Sequence, residues 1–138
     1  MVPFVKQEKP NECGVAALTA IATYFMCKQI SYQKVLNYCS ISSQGLSINS
    51  LCYAARSIGL EPLPIWCNID NLIEIIPKPC IALWNKDHYI VVTKVDGERI
   101  WIVDPAFGKF IYDRNTFVRW WCEADKGIII VFNKVDSK

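Results

Sequence analysis

The chain has 138 residues, of which 52% are apolar and 20% charged, with a net charge of +2. That is enough apolar material for one domain with a real core, and it excludes a disordered chain. Lysines, arginines and acids are well mixed, so there is no basic stripe and no electrostatic footing for a nucleic-acid partner.

The seven cysteines are Cys13, Cys27, Cys39, Cys52, Cys67, Cys80 and Cys122. An odd count leaves at least one thiol outside any disulfide set. With no CxxC and a single histidine, His88, no Cys/His metal cluster can be drawn, so neither metal nor cofactor is expected. Residues 1–12 show no charged segment followed by an apolar run, so no secretory signal is visible. A reducing cytosol is the simplest compartment. The longest uncharged stretch near the start, Gly14 to Cys27, falls short of the roughly 20 apolar residues that a membrane span requires.

Taken in chain order, the pattern is helical up to Pro77 and strand-like after it. The predicted halves are a helical one over about 11–76 and a sheet over about 80–133, within one domain of 1–138. Asn11 is the predicted N-cap of a helix from about Cys13 to Met26, with Glu12 near its positive end and Ala17, Ile21, Tyr24 and Phe25 on one face. Ser31 caps a second predicted helix through Val35, Leu36 and Cys39. Ser47 caps a third through Leu51, Ala54, Ala55 and Ile58, which Gly59 ends in a left-handed conformation. A short fourth helix over Asp70 to Ile75 stops at Pro77 and Pro79. Strands are predicted over Cys80–Trp84, Tyr89–Val95, Arg99–Val103, Lys109–Tyr112 and Ile128–Phe132, and a helix over Asp113–Trp121 with Asp113 as its cap. The class is α+β, helices first and an antiparallel sheet after.

Asp96-Gly97 between two apolar strands signals a hairpin, with two registers open. A two-residue loop pairs Val95 with Glu98 and sets His88 and Asp104 on opposite faces. A three-residue loop with a bulge at Gly97 pairs Lys94 with Glu98 and sets His88 directly across from Asp104. The second is preferred, because it gives both polar residues one shared site.

Cys13 differs from the other thiols in its setting. At a helix N-terminus, free N–H groups and the helix dipole favour a thiolate, and Gly14, Ala16 and Ala17 leave room for a substrate backbone. A buried cysteine is more often packing than chemistry, and the other six, with no activating neighbour, are read as core. Gln7, six residues earlier across a turn, carries an amide that can donate to an oxyanion. His88, the one imidazole, is the obvious proton acceptor for a thiol near neutral pH. Asp104 closes an apolar strand, where it either caps the D-P-A-F-G turn or orients His88. Nucleophile, base and orienting group follow the logic of a catalytic triad. Trp120-Trp121 reads as packing or as part of a peptide groove.

Three segments, QEKPNECGVAAL (Gln7 to Leu18), DHYIVV (Asp87 to Val92) and IVDPAFG (Ile102 to Gly108), resemble the C39 peptidases, papain-like domains of bacteriocin- and peptide-exporting ABC transporters. The resemblance runs from Gln7 to about Phe132, and the three segments in this order are far more specific than any one alone. It implies a papain-like α+β fold. It implies Cys13 as nucleophile, His88 as general base, Asp104 as its orienting partner and Gln7 as oxyanion-hole donor. Glu12 stands where many members have Asp. Members that lack the cysteine serve only as docking domains; all four matched positions are retained here.

The resemblance further implies a cysteine endopeptidase that cuts leader peptides after a Gly-Gly type pair. The implied partners are a precursor peptide with a double-glycine leader and the transmembrane and ATPase domains of an ABC transporter, in the same chain or another. The implied location is cytoplasmic, at the inner face of the plasma membrane. A leader-binding docking module and a papain-like acyl or amide transferase are the alternatives. Cleavage that depends on Cys13 separates the first reading from the docking module.

Overall fold

Buried Ala, Val, Leu and Ile surround the first helix on every side, which is the pattern of a helix sandwiched in a core rather than lying on a surface. The computed structural model describes residues 1–135. It places this helix, α1 (Cys13–Met26), against a six-stranded antiparallel sheet together with α2 (Tyr32–Asn37) and α3 (Ile48–Ser57). The remaining elements are β1 (Leu60–Cys67), α4 (Ile69–Glu74), β2 (Cys80–Trp84), β3 (His88–Asp96), β4 (Arg99–Asp104), β5 (Gly108–Asp113), α5 (Arg114–Trp121) and β6 (Gly127–Lys134). The strand order is β1-β6-β2-β3-β4-β5. The last three residues of the predicted 1–138 span lie outside the described residues.

Both faces of the central strands are covered. Ile81, Tyr89, Val91 and Ile130 pack with α1 and α3, while Ala82, Ile90, Val92 and Ile129 pack on the other side with Leu72 of α4 and Phe117 of α5. Leu18 and Ile21 of α1 are wholly buried, each stabilising the fold by about 1.5–3 kcal/mol relative to exposure. Tyr24, expected on the same face, is instead partly exposed, because α1 outruns its cover in its last turn.

The expected caps at Ser31, Ser47 and Asp113 are present, each side chain accepting from the backbone N–H three residues on. Gly59 has φ +95. At α1 the cap position is Glu12, with no side-chain capping bond, and the Asn11 amide instead donates to the Ser42 carbonyl at 3.1 Å. The fourth helix starts one residue early, capped by Asn68.

The expected division at Pro77 into helices and then strands does not hold, because β1 lies in the first half. This strand, which carries Pro62 and Pro64, is an edge strand pairing only with β6. The two prolines stand two apart, so both lack an N–H on the open side, where no neighbouring strand needs one.

Neither expected hairpin register is correct. The loop is Gly97-Glu98, flanked by the pair Asp96–Arg99, with Gly97 at φ +62 in the first loop position, where a II′ hairpin takes glycine. Farther along, Val92 pairs with Ile102 and Val91 with Val103; a bulge between Val92 and Lys94 separates the two registers.

Candidate active site

The start of β3, the end of β4 and the start of α1 converge at one end of the sheet. His88 opens β3 and Asp104 closes β4. Although the two are not directly paired, their side chains meet, with His88 Nε2 2.8 Å from Asp104 Oδ1. The Cys13 sulfur lies near enough to the ring to bear on its protonation. Since Nε2 serves Asp104, Nδ1 is the nitrogen left for the thiol. The line Cys13–His88–Asp104 is thus continuous.

The carboxylate is fixed from a second direction. Asp104 Oδ1 also accepts from the Ala106 N–H at 2.9 Å, and its backbone carbonyl accepts from Phe107 N–H at 3.1 Å. The turn-cap and His-facing readings of Asp104 are therefore both realised by one side chain. Ala106 was not singled out from the sequence; its role belongs to the Asx turn that D-P-A-F-G encodes.

Electrostatics follow from this geometry. Burial works to lower the His88 pKa. The hydrogen bond to Asp104, then the nearby Cys13 sulfur and the negative charges of both, outweigh it and push the imidazole up from 6.5 to about 10. The balance favours the imidazolium form of His88. Burial holds five other thiols in the neutral form: it raises Cys39 to about 11 and Cys80 to about 12, and also raises Cys52, Cys67 and Cys122. These five fit the expected packing role. Cys27 does not, being exposed in a left-handed conformation at the C-cap of α1. All seven cysteines are unpaired.

Gln7 is brought to the same place. Its backbone N–H donates to the Pro105 carbonyl at 3.0 Å, stitching the N-terminal loop to the turn that follows Asp104. Its Nε2 donates to the Lys9 and Pro10 carbonyls at 3.1 and 3.2 Å, and its Oε1 is buried without a partner. The opposite amide orientation would set Oε1 against two carbonyl oxygens. The loop itself is held to α2 by Tyr32, whose hydroxyl donates to Glu12 Oε1 at 2.7 Å and accepts from Glu8 N–H at 3.1 Å.

Cys13 opens onto a groove of about 740 Å³, lined by Pro10, Asn11, the 42–48 loop and Tyr89. Tyr89 Oη donates to the Leu46 carbonyl at 2.8 Å and so fixes this loop to β3. Sequence reasoning did not find the loop; its serines and glycine carried no periodic signal. Of the tryptophan pair, Trp121 is buried and donates through Nε1 to the Ile128 carbonyl, whereas Trp120 is half-exposed beside the site.

A thiol at the start of a buried helix, facing an imidazole on the adjoining sheet with a carboxylate behind it, is the arrangement of papain-like cysteine peptidases. The Peptidase C39 family model matches residues 1–137, and the chain belongs to that family. Among its relatives are two transport proteins. The colicin V secretion/processing ATP-binding protein CvaB of Escherichia coli is 27% identical over 87% of this chain and 17% of its own length. The lactococcin-G-processing and transport ATP-binding protein LagD of Lactococcus lactis is 28% identical over 88% of this chain and 18% of its own length. The chain thus spans less than a fifth of either relative. Among solved structures, a double glycine motif protease from an AMS/PCAT transporter, in complex with the leader peptide, superposes with a TM-score of 0.89 at 28% identity. That match covers 98% of this chain and 93% of the other. The peptidase domain of Streptococcus ComA shares the fold, with a TM-score of 0.86 at 21% identity over 99% of this chain and 100% of the other.

Proposed function

We propose that this domain cleaves leader peptides after a Gly-Gly type pair. Cys13 is the nucleophile, His88 the proton carrier, Asp104 the group that orients it and Gln7 an oxyanion donor. The observation that carries the reading is the imidazole of His88 held between the Asp104 carboxylate and the Cys13 sulfur. Likeness to a double glycine motif protease supports the substrate class.

The chemistry runs in two halves. The Cys13 thiolate attacks the carbonyl carbon of the second glycine, and charge collects on the carbonyl oxygen. Free N–H groups at the start of α1 face that charge. Gln7 Nε2 joins them by exchanging one of its own-loop carbonyls for the oxyanion. Collapse breaks the C–N bond while the His88 imidazolium gives its proton to the leaving nitrogen. A thioester and a neutral imidazole remain. Water then adds to the thioester carbon and gives its proton to His88, and the C–S bond breaks. The leader departs as the acid, and the thiolate–imidazolium pair is restored.

The proposed partners are the precursor peptide and the transmembrane and ATPase portions of an exporter, with the domain at the cytoplasmic face of the membrane; likeness to secretion and processing ATP-binding proteins supports the link to export. The test is incubation with a precursor carrying a double-glycine leader. Cleavage after Gly-Gly that disappears in Cys13→Ala supports the peptidase. Tight binding of the precursor by both forms with no cleavage refutes it in favour of a docking module. Alkylation of Cys13 by iodoacetamide is measured in a Cys27→Ser background, because Cys27 is also at the surface.

A further inference from the structure

Two depressions meet at the site, and their chemistry differs. The groove of about 740 Å³ holds Cys13 but not His88. A second depression of about 510 Å³ holds His88 and Asp104 but not Cys13, and its walls include Trp84, Phe107, Tyr112 and Trp120. Pro10 and Asp87 line both, so the two adjoin where Cys13 meets His88.

Thiol chemistry distinguishes the sides. The acyl group stays on the sulfur, whereas the leaving nitrogen must come within hydrogen-bond reach of the proton donor. The chain after the cut therefore runs toward His88. We infer that the His88-side depression is the subsite for the first residues of the released peptide, and that Phe107 and Trp120 make it favour an apolar or aromatic residue directly after the cut. This inference rests on the peptidase reading above.

Phe107 is 78% exposed and Trp120 44% exposed, a large cost in apolar surface for two aromatic rings flanking one depression. Their backbones are nonetheless tied down. Phe107 N–H donates to the Asp104 carbonyl at 3.1 Å, and the Trp120 carbonyl accepts from Asn85 N–H at 2.7 Å. Trp84 and Tyr112 line the same depression, with ring centroids 5.5 Å apart. Apolar rings carried on a tied-down backbone bind an apolar side chain at a reduced ordering cost. The Asp87 carboxylate at the junction acts against an acidic residue in the same position.

The experiment uses three precursors that differ only in the residue after Gly-Gly: Phe, Gly or Asp. The expected order of kcat/KM is Phe, then Gly, then Asp, with Phe about tenfold above Gly, as one apolar side chain in a partly open pocket gives. In a Phe107→Ala, Trp120→Ala double variant, the ratio of Phe to Gly is expected to fall to about twofold or less; iodoacetamide alkylation of Cys13 checks that the site is still assembled in it. Equal cleavage of all three precursors by the unaltered protein overturns the subsite alone. A Phe preference that survives the double variant overturns its assignment to these two rings. Cleavage of none of the three overturns the peptidase reading and the subsite with it.

Discussion

Replacing Asp104 by Asn keeps an oxygen that can accept from His88 Nε2 but removes its charge. His88 and Asp104 leave only 22% and 9% of their side chains exposed, so solvent screens the pair weakly. A hydrogen bond to a charged partner contributes about 1.5–3 kcal/mol and a neutral one about 0.5–1.5 kcal/mol, a difference of about 1–1.5 kcal/mol that loosens the His88 proton roughly five- to tenfold. The expected outcome is a His88 titration midpoint below the value of about 10 that the intact pair sustains. Since His88 is the one imidazole in the chain, its ring signals in an NMR pH titration need no deconvolution. Stability follows the same sign. The folded pKa lies above the ordinary 6.5, so the pair's contribution is complete below 6.5 and is lost as pH rises through about 10. Asp104→Asn should therefore cost more stability at neutral pH than above that midpoint. A wild-type midpoint near 6.5, or an unchanged one in the variant, would refute the coupling argued here.

Three further outcomes are expected. Gln7→Ala should lower kcat by about 10²–10³ through loss of an oxyanion donor, while leaving the His88 titration in place, as kinetics and NMR on the same variant would show. Tyr89→Phe strips the buried Leu46 carbonyl of its donor and should cost about 1–2 kcal/mol in urea unfolding, with reduced kcat/KM because the 42–48 loop walls the Cys13 groove. Gly127→Ala would place a Cβ 2.3 Å from the Trp121 ring, and should cost about 1–3 kcal/mol by thermal or urea denaturation through overpacking.

Elements with local chemistry were legible in the sequence. Ser31, Ser47 and Asp113 cap helices because a short oxygen-bearing side chain before an apolar run has one obvious use, and Gly59 ends a helix because it adopts positive φ freely. Cys13, His88, Asp104 and Gln7 were each nameable, and the structure gathers all four at one end of the sheet. Features decided by tertiary context were not legible. Whether Pro62 and Pro64 break a strand depends on whether it lies at an edge, which only the assembled sheet determines. Burial of Cys52 and exposure of Cys27 likewise depend on what covers each stretch of helix. The walls of the Cys13 groove come from a loop with no periodicity, positioned by Tyr89 and Asn11 from other elements.

The hairpin shows how a right conclusion can come from a wrong register. The expected pairing set His88 opposite Asp104 and so put them on one face. The actual turn is tighter, and near it Asp96 pairs with Arg99 and Lys94 with Trp101. Continued unchanged, that register would bring Asp104 opposite Val91. Asp104 would then turn to the face away from His88, because side chains alternate along a strand and a one-residue slip exchanges the faces. The bulge between Val92 and Lys94 adds the one residue that restores parity, and Val91 then pairs with Val103. Asp104 consequently falls on the face of Ile90 and His88, one diagonal step from the imidazole, and the 2.8 Å contact closes. Thr93, the residue at the bulge, donates its hydroxyl to the Trp101 carbonyl at 3.3 Å, across the strand pair it interrupts. Parity rather than direct opposition is what the site requires of this hairpin. A loop of either length could meet that requirement, provided that any odd slip is compensated before the strands reach His88.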